Sequence, residues 1–335
     1  MLLAGDVGGT KIFLGLFATD GARPTAIEVR SYRTLDFPDL AAASLQFLRE
    51  ISTETHDIEA AAFGVAGPIT GARAQLTNVP WIVDLDAVQR QVGIPRAYLL
   101  NDLEALAWSI PVLTSDEIEV VHEGRADPSG NVALIAAGTG LGIALLPRLD
   151  GRLVPRASEG GHVDFAPRDV HERALAEALT SEYGRVDIER VVSGPGLANI
   201  HRILHPHQCA TLTPMPASDD LPAAVSRAAL EAGCPSCVRS LECFVSAYGA
   251  SAGNLALTVL ATGGVYLGGG IAPRILPALR WPSFMRSFLD KSPMDAIISR
   301  VPVNVILNPR AGLLGAAAYA SRQSMVDSRE STDLC

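Results

Sequence analysis

A chain of 335 residues, 48% hydrophobic and 19% charged, is long enough to bury one large or two medium cores. Its formal net charge of −9 argues against nucleic acid or an anionic membrane surface as the main partner. An anionic nucleotide is still admissible, because it needs only a local nest of donors.

The first predicted element is a hairpin. The apolar start Leu2-Leu3-Ala4 leads into Gly5-Asp6-Val7-Gly8-Gly9-Thr10-Lys11 and then into the apolar run 12–17. It reads as strand, tight turn, strand, with glycine letting the backbone approach a ligand. No basic region precedes Gly5 and Asp6, so a secretory leader is not expected. The five scattered cysteines are therefore expected as reduced thiols in a cytoplasmic protein. A strand over 27–33 and a helix over 39–50, with Leu40, Leu45 and Leu48 at helical spacing, come next. A buried strand over 60–65 stops at Ala66-Gly67-Pro68. Asp84 is a candidate N-cap for a helix to Val92, and a short strand over 98–100 stops at Asn101-Asp102.

A Pro- and charge-containing connection over 111–130 leads to a second hairpin, Ala136-Ala137-Gly138-Thr139-Gly140-Leu141-Gly142, between apolar runs 132–135 and 143–146. Exposed N–H groups and a threonine hydroxyl in such a turn suit phosphate oxygens. Two copies roughly 130 residues apart predict a duplicated module with a nucleotide held between the halves, and hence phosphoryl transfer. Neither a P-loop nor a G-x-G-x-x-G fingerprint is present, which disfavours the commoner nucleotide folds.

Beyond this hairpin lies the loop Ser158-Glu159-Gly160-Gly161-His162, then a helix near 172–183 and the turn Ser193-Gly194-Pro195-Gly196 before a helix over 197–204. The Pro-, Thr- and Ser-rich stretch 210–221 is expected as a surface loop. Cys234-x-x-Cys237 could be half a zinc site, but no suitably spaced second pair completes it. The uncharged stretch 244–272 raises a transmembrane helix, yet its glycines at 249, 253, 263, 264 and 268–270 fit a buried helix, a buried strand over 265–267 and a glycine turn better. A strand over 301–307 then passes through Asn308-Pro309 into a helix over 311–320.

Strands alternating with helices in both halves predict an α/β fold, with ligands at the carboxyl ends of strands. Asn101-Asp102 sits where a strand stops and a helix begins, which suits a helix N-cap and an active-site position alike. Two glycines between Glu159 and His162 make a turn that can aim a carboxylate and an imidazole at one ligand. Asn101, Asp102, Glu159, His162 and Glu189 together offer the mixture of donors and acceptors that vicinal sugar hydroxyls need.

With those residues in view, the chain resembles bacterial glucokinases of the hexokinase, heat-shock-protein and actin superfamily. On this resemblance Gly5-Asp6-Val7-Gly8-Gly9-Thr10 and Ala137-Gly138-Thr139-Gly140-Leu141-Gly142 match the two phosphate segments, and Gly268-Gly269-Gly270-Ile271-Ala272-Pro273 the adenosine-side segment. Residues 309–317 match the closing helix, Leu100-Asn101-Asp102 the catalytic aspartate segment, and Ser158–His162 with Glu189–Gly194 the glucose-binding loops. Two departures are visible. Lys11-Ile12-Phe13 replaces a common Asn-Ala-Arg, as in the related ROK kinases, but the cysteine-rich zinc motif of most ROK kinases is absent after His162.

The resemblance implies a duplicated actin-like (ribonuclease H-like) ATPase fold of two domains with a cleft between them. The expected domains are 1–110, completed by a C-terminal helix at about 309–321, and 111–308, followed by a polar, mobile tail over 322–335. The implied reaction moves the γ-phosphoryl of ATP to the 6-hydroxyl of glucose, with domain closure over the sugar. Asp102 is implied as base, Asp6 as the magnesium residue, and Asn101, Glu159, His162 and Glu189 as sugar ligands. Gly5 to Thr10, Gly138, Thr139, Gly269 and Gly270 are implied for the nucleotide. The implied assembly is a homodimer, with neither nucleic acid nor membrane as partner. The alternatives are a kinase for another hexose and a non-catalytic sugar sensor.

Overall fold

The computed structural model describes residues 1–76, 79–205, 210–212, 217 and 220–332. They fall into two compact units, Met1–Thr114 with Asn308–Cys335, and Ser115–Leu307. Half of the loop expected over 210–221 lies outside the described residues, as do Cys209 and Cys335.

The first unit runs β1 (Leu2–Val7), β2 (Lys11–Ala18), β3 (Thr25–Arg33), α1 (Leu40–Glu50) and β4 (Ala60–Val65). A small antiparallel sheet follows, made of β5 (Ile69–Thr70), β6 (Arg73–Gln75) and β7 (Ile82–Asp84). Then come α2 (Leu85–Val92), β8 (Ala97–Asn101) and α3 (Asp102–Ser109). The main sheet has the order β3-β2-β1-β4-β8. Its first three strands form an antiparallel meander, and β1, β4 and β8 are parallel.

Both faces of this sheet are covered, which is why β1 and β4 read as nearly unbroken apolar runs. Leu3, Ile12, Leu14 and Phe63 share one core with Phe47 and Leu48 of α1. On the other face Leu2, Ala4, Ala60 and Ala62 meet Leu313, Ala316, Ala317 and Ala320 of the C-terminal helix. Small residues bring that helix close. At Gly315 a Cβ would stand 1.7 Å from the carbonyl oxygen of Ala105, so only glycine lets the C-terminal helix cross α3.

The C-terminal helix is longer than the sequence suggests, running over Ala311–Thr332 where a polar tail was expected from 322. No glycine or proline interrupts it there, and helical spacing carries Ser321 and Ser324 into buried positions. Arg322 adds its guanidinium over the ring of Trp108, 4.9 Å from the centroid.

The second unit opens with β9 (Ile118–His122), β10 (Val132–Ala137) and β11 (Leu141–Leu146), followed by β12 (Arg148–Leu149), β13 (Arg152–Leu153) and β14 (Arg156–Ser158). Its helices are α4 (Val170–Tyr183), α5 (Gly194–Leu204), α6 (Leu221–Leu230) and α7 (Pro235–Thr258). Strand β15 (Gly264–Gly268), α8 (Leu276–Leu279), α9 (Pro282–Leu289), α10 (Asp295–Ile298) and β16 (Val303–Ile306) complete it. The sheet order is β14-β11-β10-β15-β16-β9.

Without β9, this sheet repeats the first in order and direction. An antiparallel meander β14-β11-β10 joins the parallel set β10-β15-β16. The duplicated α/β architecture predicted from two hairpins is therefore a duplication of whole five-stranded sheets. Strand β9 is a correction to the connection expected over 111–130. It adds antiparallel to β16, where Ile118, Val120 and Val121 give the segment strand propensity and the sheet edge supplies hydrogen-bond partners.

The uncharged stretch resolves as the end of α7, strand β15 and a glycine turn, as its composition predicts. Tyr248 of α7 is wholly buried, and its hydroxyl donates to the carbonyl of Ile135 at 3.1 Å. Among the described residues no helix is long and apolar enough to cross a membrane.

Candidate active site

In the first unit the strand extends further into the glycine motif than the sequence suggests. Gly5, Asp6 and Val7 all lie within β1, paired with β2 on one side and β4 on the other. Gly5 is a packing position rather than a turn residue, since a Cβ there would lie 2.5 Å from the Phe63 ring. The turn itself is Gly8-Gly9-Thr10, closed by a bond from the Gly8 N–H to Lys11 O at 3.0 Å. Buried Thr34 braces it: its hydroxyl donates to Gly8 O at 2.7 Å and its N–H to Thr10 O at 3.1 Å. Thr10 and Lys11 are exposed at the tip.

Asp6 lies across from Gly64, and Gly64 from Leu100, so β1, β4 and β8 end together. Asn101 and Asp102 stand at that carboxyl edge. Asn101 does act as the N-cap of α3, accepting from Glu104 N–H at 2.6 Å. Its carbonyl is thus engaged, and its NH₂ is the part it can present to a ligand. Asp102 is exposed and accepts from its neighbour Leu103 N–H through Oδ1 at 2.9 Å. Burial, reinforced by the charge of Asp102, pushes the Asp6 carboxyl up to about 6.

A cation beside Asp6 would relieve both effects. Magnesium is commonly held by one or two carboxylates together with phosphate oxygens and water. Asp6 fits that pattern, and among the described residues no cluster of three or more His, Cys, Asp or Glu makes a dedicated metal cage. Cys234 and Cys237, considered as half a zinc site, are both buried and belong to no such cluster among the described residues.

In the second unit the second hairpin turns at Gly138-Thr139-Gly140, with Thr139 exposed. Ala136 of β10 pairs with Gly268 of β15, which brings Gly269 and Gly270 to the same sheet edge. Ile271 N–H donates to Ala137 O at 3.2 Å, and Gly269 has a positive φ of 80° with no room for a side chain above Ala137. The N-terminus of α5 closes on this hairpin as well. Gly194 N–H donates to Gly138 O at 2.8 Å, and Ser193 caps the helix by accepting from Gly196 N–H at 3.0 Å. A helix N-terminus beside a glycine turn favours negative charge.

The predicted sugar residues of this unit converge on that hairpin. Glu189 accepts from Leu141 N–H through Oε2 at 2.7 Å. Gly161 packs so tightly on Leu141 that a Cβ would be 1.9 Å from its carbonyl oxygen. Glu159 is 89% exposed and His162 51% exposed, with 3.9 Å between Oε2 and Nε2. Glu159, His162 and Glu189 therefore share one locality with Gly138 and Thr139, while Asn101, Asp102 and Asp6 share another.

A short segment over 185–189 runs antiparallel to 161–165 around a bridge between Asp164 and Asp187, and it assembles the sugar-type residues. Phe165 N–H donates to Val186 O, Ile188 N–H to Val163 O and Glu189 N–H to Gly161 O, each at 3.0–3.1 Å. Val186 and Ile188 are buried, and Arg185 and Asp187 alternate with them on the opposite side. Arg185 donates to the carbonyl of His162 at 2.6 Å, and Asp187 Oδ2 lies 3.2 Å from His162 Nδ1. Asp187 and Arg185 are the residues that sequence reasoning missed. The alternation of apolar and charged residues over 185–189 is the signal that could have found them.

The chain as a whole also matches known proteins. The glucokinase family model matches residues 3–323. The chain is similar to a glucokinase of Nostoc punctiforme, 39% identical over 340 residues that cover 96% of this chain and 99% of the relative. A glucokinase of Synechocystis sp. is 40% identical over 347 residues, covering 96% of this chain and 98% of the relative. Among solved structures, a glucokinase from an Antarctic psychrotroph superposes with a TM-score of 0.83 at 30% identity, covering 96% of this chain and 98% of the other. A ROK-family glucokinase from Streptomyces griseus, solved with glucose and AMPPNP, shares the fold with a TM-score of 0.64 at 24% identity, covering 96% and 99%.

Proposed function

Because the chain belongs to the glucokinase family, we propose that it transfers the γ-phosphoryl of ATP to the 6-hydroxyl of glucose. The observation that carries this reading is the bond from Leu141 N–H to Glu189, which joins a sugar-type carboxylate to a phosphate-type hairpin.

In this reading Asp102 accepts the proton of the 6-hydroxyl as that oxygen attacks phosphorus in line. Its exposure and its place after β8 leave the carboxylate accessible to a substrate. Asn101 donates its NH₂ to the sugar, and Glu159, His162 and Glu189 hold further hydroxyls. Thr10, Thr139 and the neighbouring glycine N–H groups take phosphate oxygens, with Gly269 and Gly270 against the rest of the nucleotide. Asp6 would hold magnesium, which when bound offsets the charge of the phosphates. Catalysis then rests on positioning and charge stabilisation more than on covalent chemistry. By the family resemblance the enzyme acts in the cytoplasm as a homodimer.

The test is ADP release from Mg-ATP with a panel of hexoses. Turnover with glucose well above mannose, fructose and amino sugars supports the assignment. Faster turnover with one of the others reassigns the substrate within the same fold, and no turnover with any sugar, despite glucose binding, favours a sensor.

A further inference from the structure

The structure assigns a role to Asp187, as we infer from its two hydrogen bonds: it is the positioning residue that fixes the tautomer of His162. This rests on the reading of His162 as a sugar ligand. Asp187 is 15% exposed and spends both carboxylate oxygens locally. Oδ2 faces His162 Nδ1 at 3.2 Å, and Oδ1 accepts from Arg190 N–H at 3.0 Å. An ionised carboxylate only accepts, so Nδ1 of a neutral His162 must carry the proton. Nε2 is then a lone-pair acceptor.

The backbone that carries the ring is held as well. His162 O is held by Arg185, which is itself anchored on Asp164 at 2.8 Å. His162 N–H donates to Glu159 O at 3.0 Å within the same turn. Residues 185 and 187 therefore grip one histidine from one side of a short segment, the first by its carbonyl and the second by its ring.

The consequence is a defined polarity at the site. Nε2 accepts, so the hydroxyl it meets must donate, and that hydroxyl can accept from another group in turn. Replacing Asp187 by asparagine inverts this. Arg190 N–H still needs an oxygen, so the amide turns its NH₂ toward Nδ1. The proton of His162 moves to Nε2, and the ring now donates where it used to accept.

The first experiment needs no variant. Long-range ¹⁵N–¹H spectra in mildly alkaline buffer, with His162 identified by its loss in His162→Gln, report which nitrogen is protonated. Protonated Nδ1 is expected, and protonated Nε2 overturns the inference.

In Asp187→Asn the proton is expected on Nε2, with KM for glucose raised about 10-fold or more and KM for ATP unchanged. Across a set of single-deoxy glucoses, one sugar should lose that penalty, namely the one lacking the hydroxyl that donates to Nε2. An unchanged tautomer, or an equal penalty for every sugar, makes the carboxylate merely structural and overturns the assignment. His162→Ala separates the two layers. If it leaves KM for glucose unchanged, the sugar-site reading fails. If it raises KM while Asp187→Asn does not, only the role of Asp187 fails.

Discussion

Asp6 and Asp102 stand close enough at the carboxyl edge of one sheet that the charge of Asp102, added to burial, pushes the Asp6 carboxyl up to about 6. An acid whose folded pKa is raised binds its proton more tightly folded than unfolded. Its ionised form therefore costs stability above about pH 6, and the cost disappears as pH falls from about 6 toward the unfolded value near 4. In the metal-free protein Asp6→Asn should be more stable than the parent at neutral pH by on the order of 1 kcal/mol. That gain should shrink as pH falls from about 6 to about 4, while turnover is lost at every pH. Urea unfolding in the presence of a chelator checks this, and equal stability of the two proteins at neutral pH would contradict it.

Gly161 sets the distance between the glucose-type loop and the second hairpin. A methyl group there would lie 1.9 Å from Leu141 O, a backbone atom that cannot swing aside. Gly161→Ala should cost about 1–3 kcal/mol and raise KM for glucose, because Glu159 and His162 flank the displaced residue. Thermal unfolding and a glucose titration of the rate measure both effects. A variant with parental melting temperature and KM would show that the loop has slack.

His201 gives a separate acid-sensitive element. It is 1% exposed, its Nδ1 pairs with Ser240 Oγ at 2.9 Å, and its Nε2 is buried without a partner. Burial lowers its pKa, so the folded state favours the neutral ring. Stability from this source is complete above the unfolded pKa near 6.5 and is lost as pH falls below it. His201→Leu should flatten the fall in melting temperature between about pH 6.5 and 5. A fall as steep as in the parent assigns the acid sensitivity elsewhere.

Much of this architecture is legible in local pattern. The two glycine hairpins, the N-cap at Asp84 and the strand ending at Asn101 all announce themselves, because a turn or cap depends on residues a few positions apart. The sugar-type residues are legible as types, though not as one cluster. What brings Glu159, His162 and Glu189 together is the pairing of 161–165 with 185–189, a long-range match of two short segments. Asp187 reads as one more surface charge until that pairing is known. Gly5 misleads for the opposite reason, since a glycine before Asp6 looks like a turn when it in fact makes room for Phe63. Strand β9 is equally hidden, because β16 becomes an edge only once the sheet has formed.

The proposed chemistry turns on Asp102, and the most direct measurement is the rate of ADP formation by Asp102→Ala with saturating glucose and Mg-ATP, run beside calorimetry of glucose binding. Loss of a positioned base predicts a fall of at least about 100-fold in turnover with glucose binding still detectable. Turnover equal to that of the parent protein would show that Asp102 is not the base.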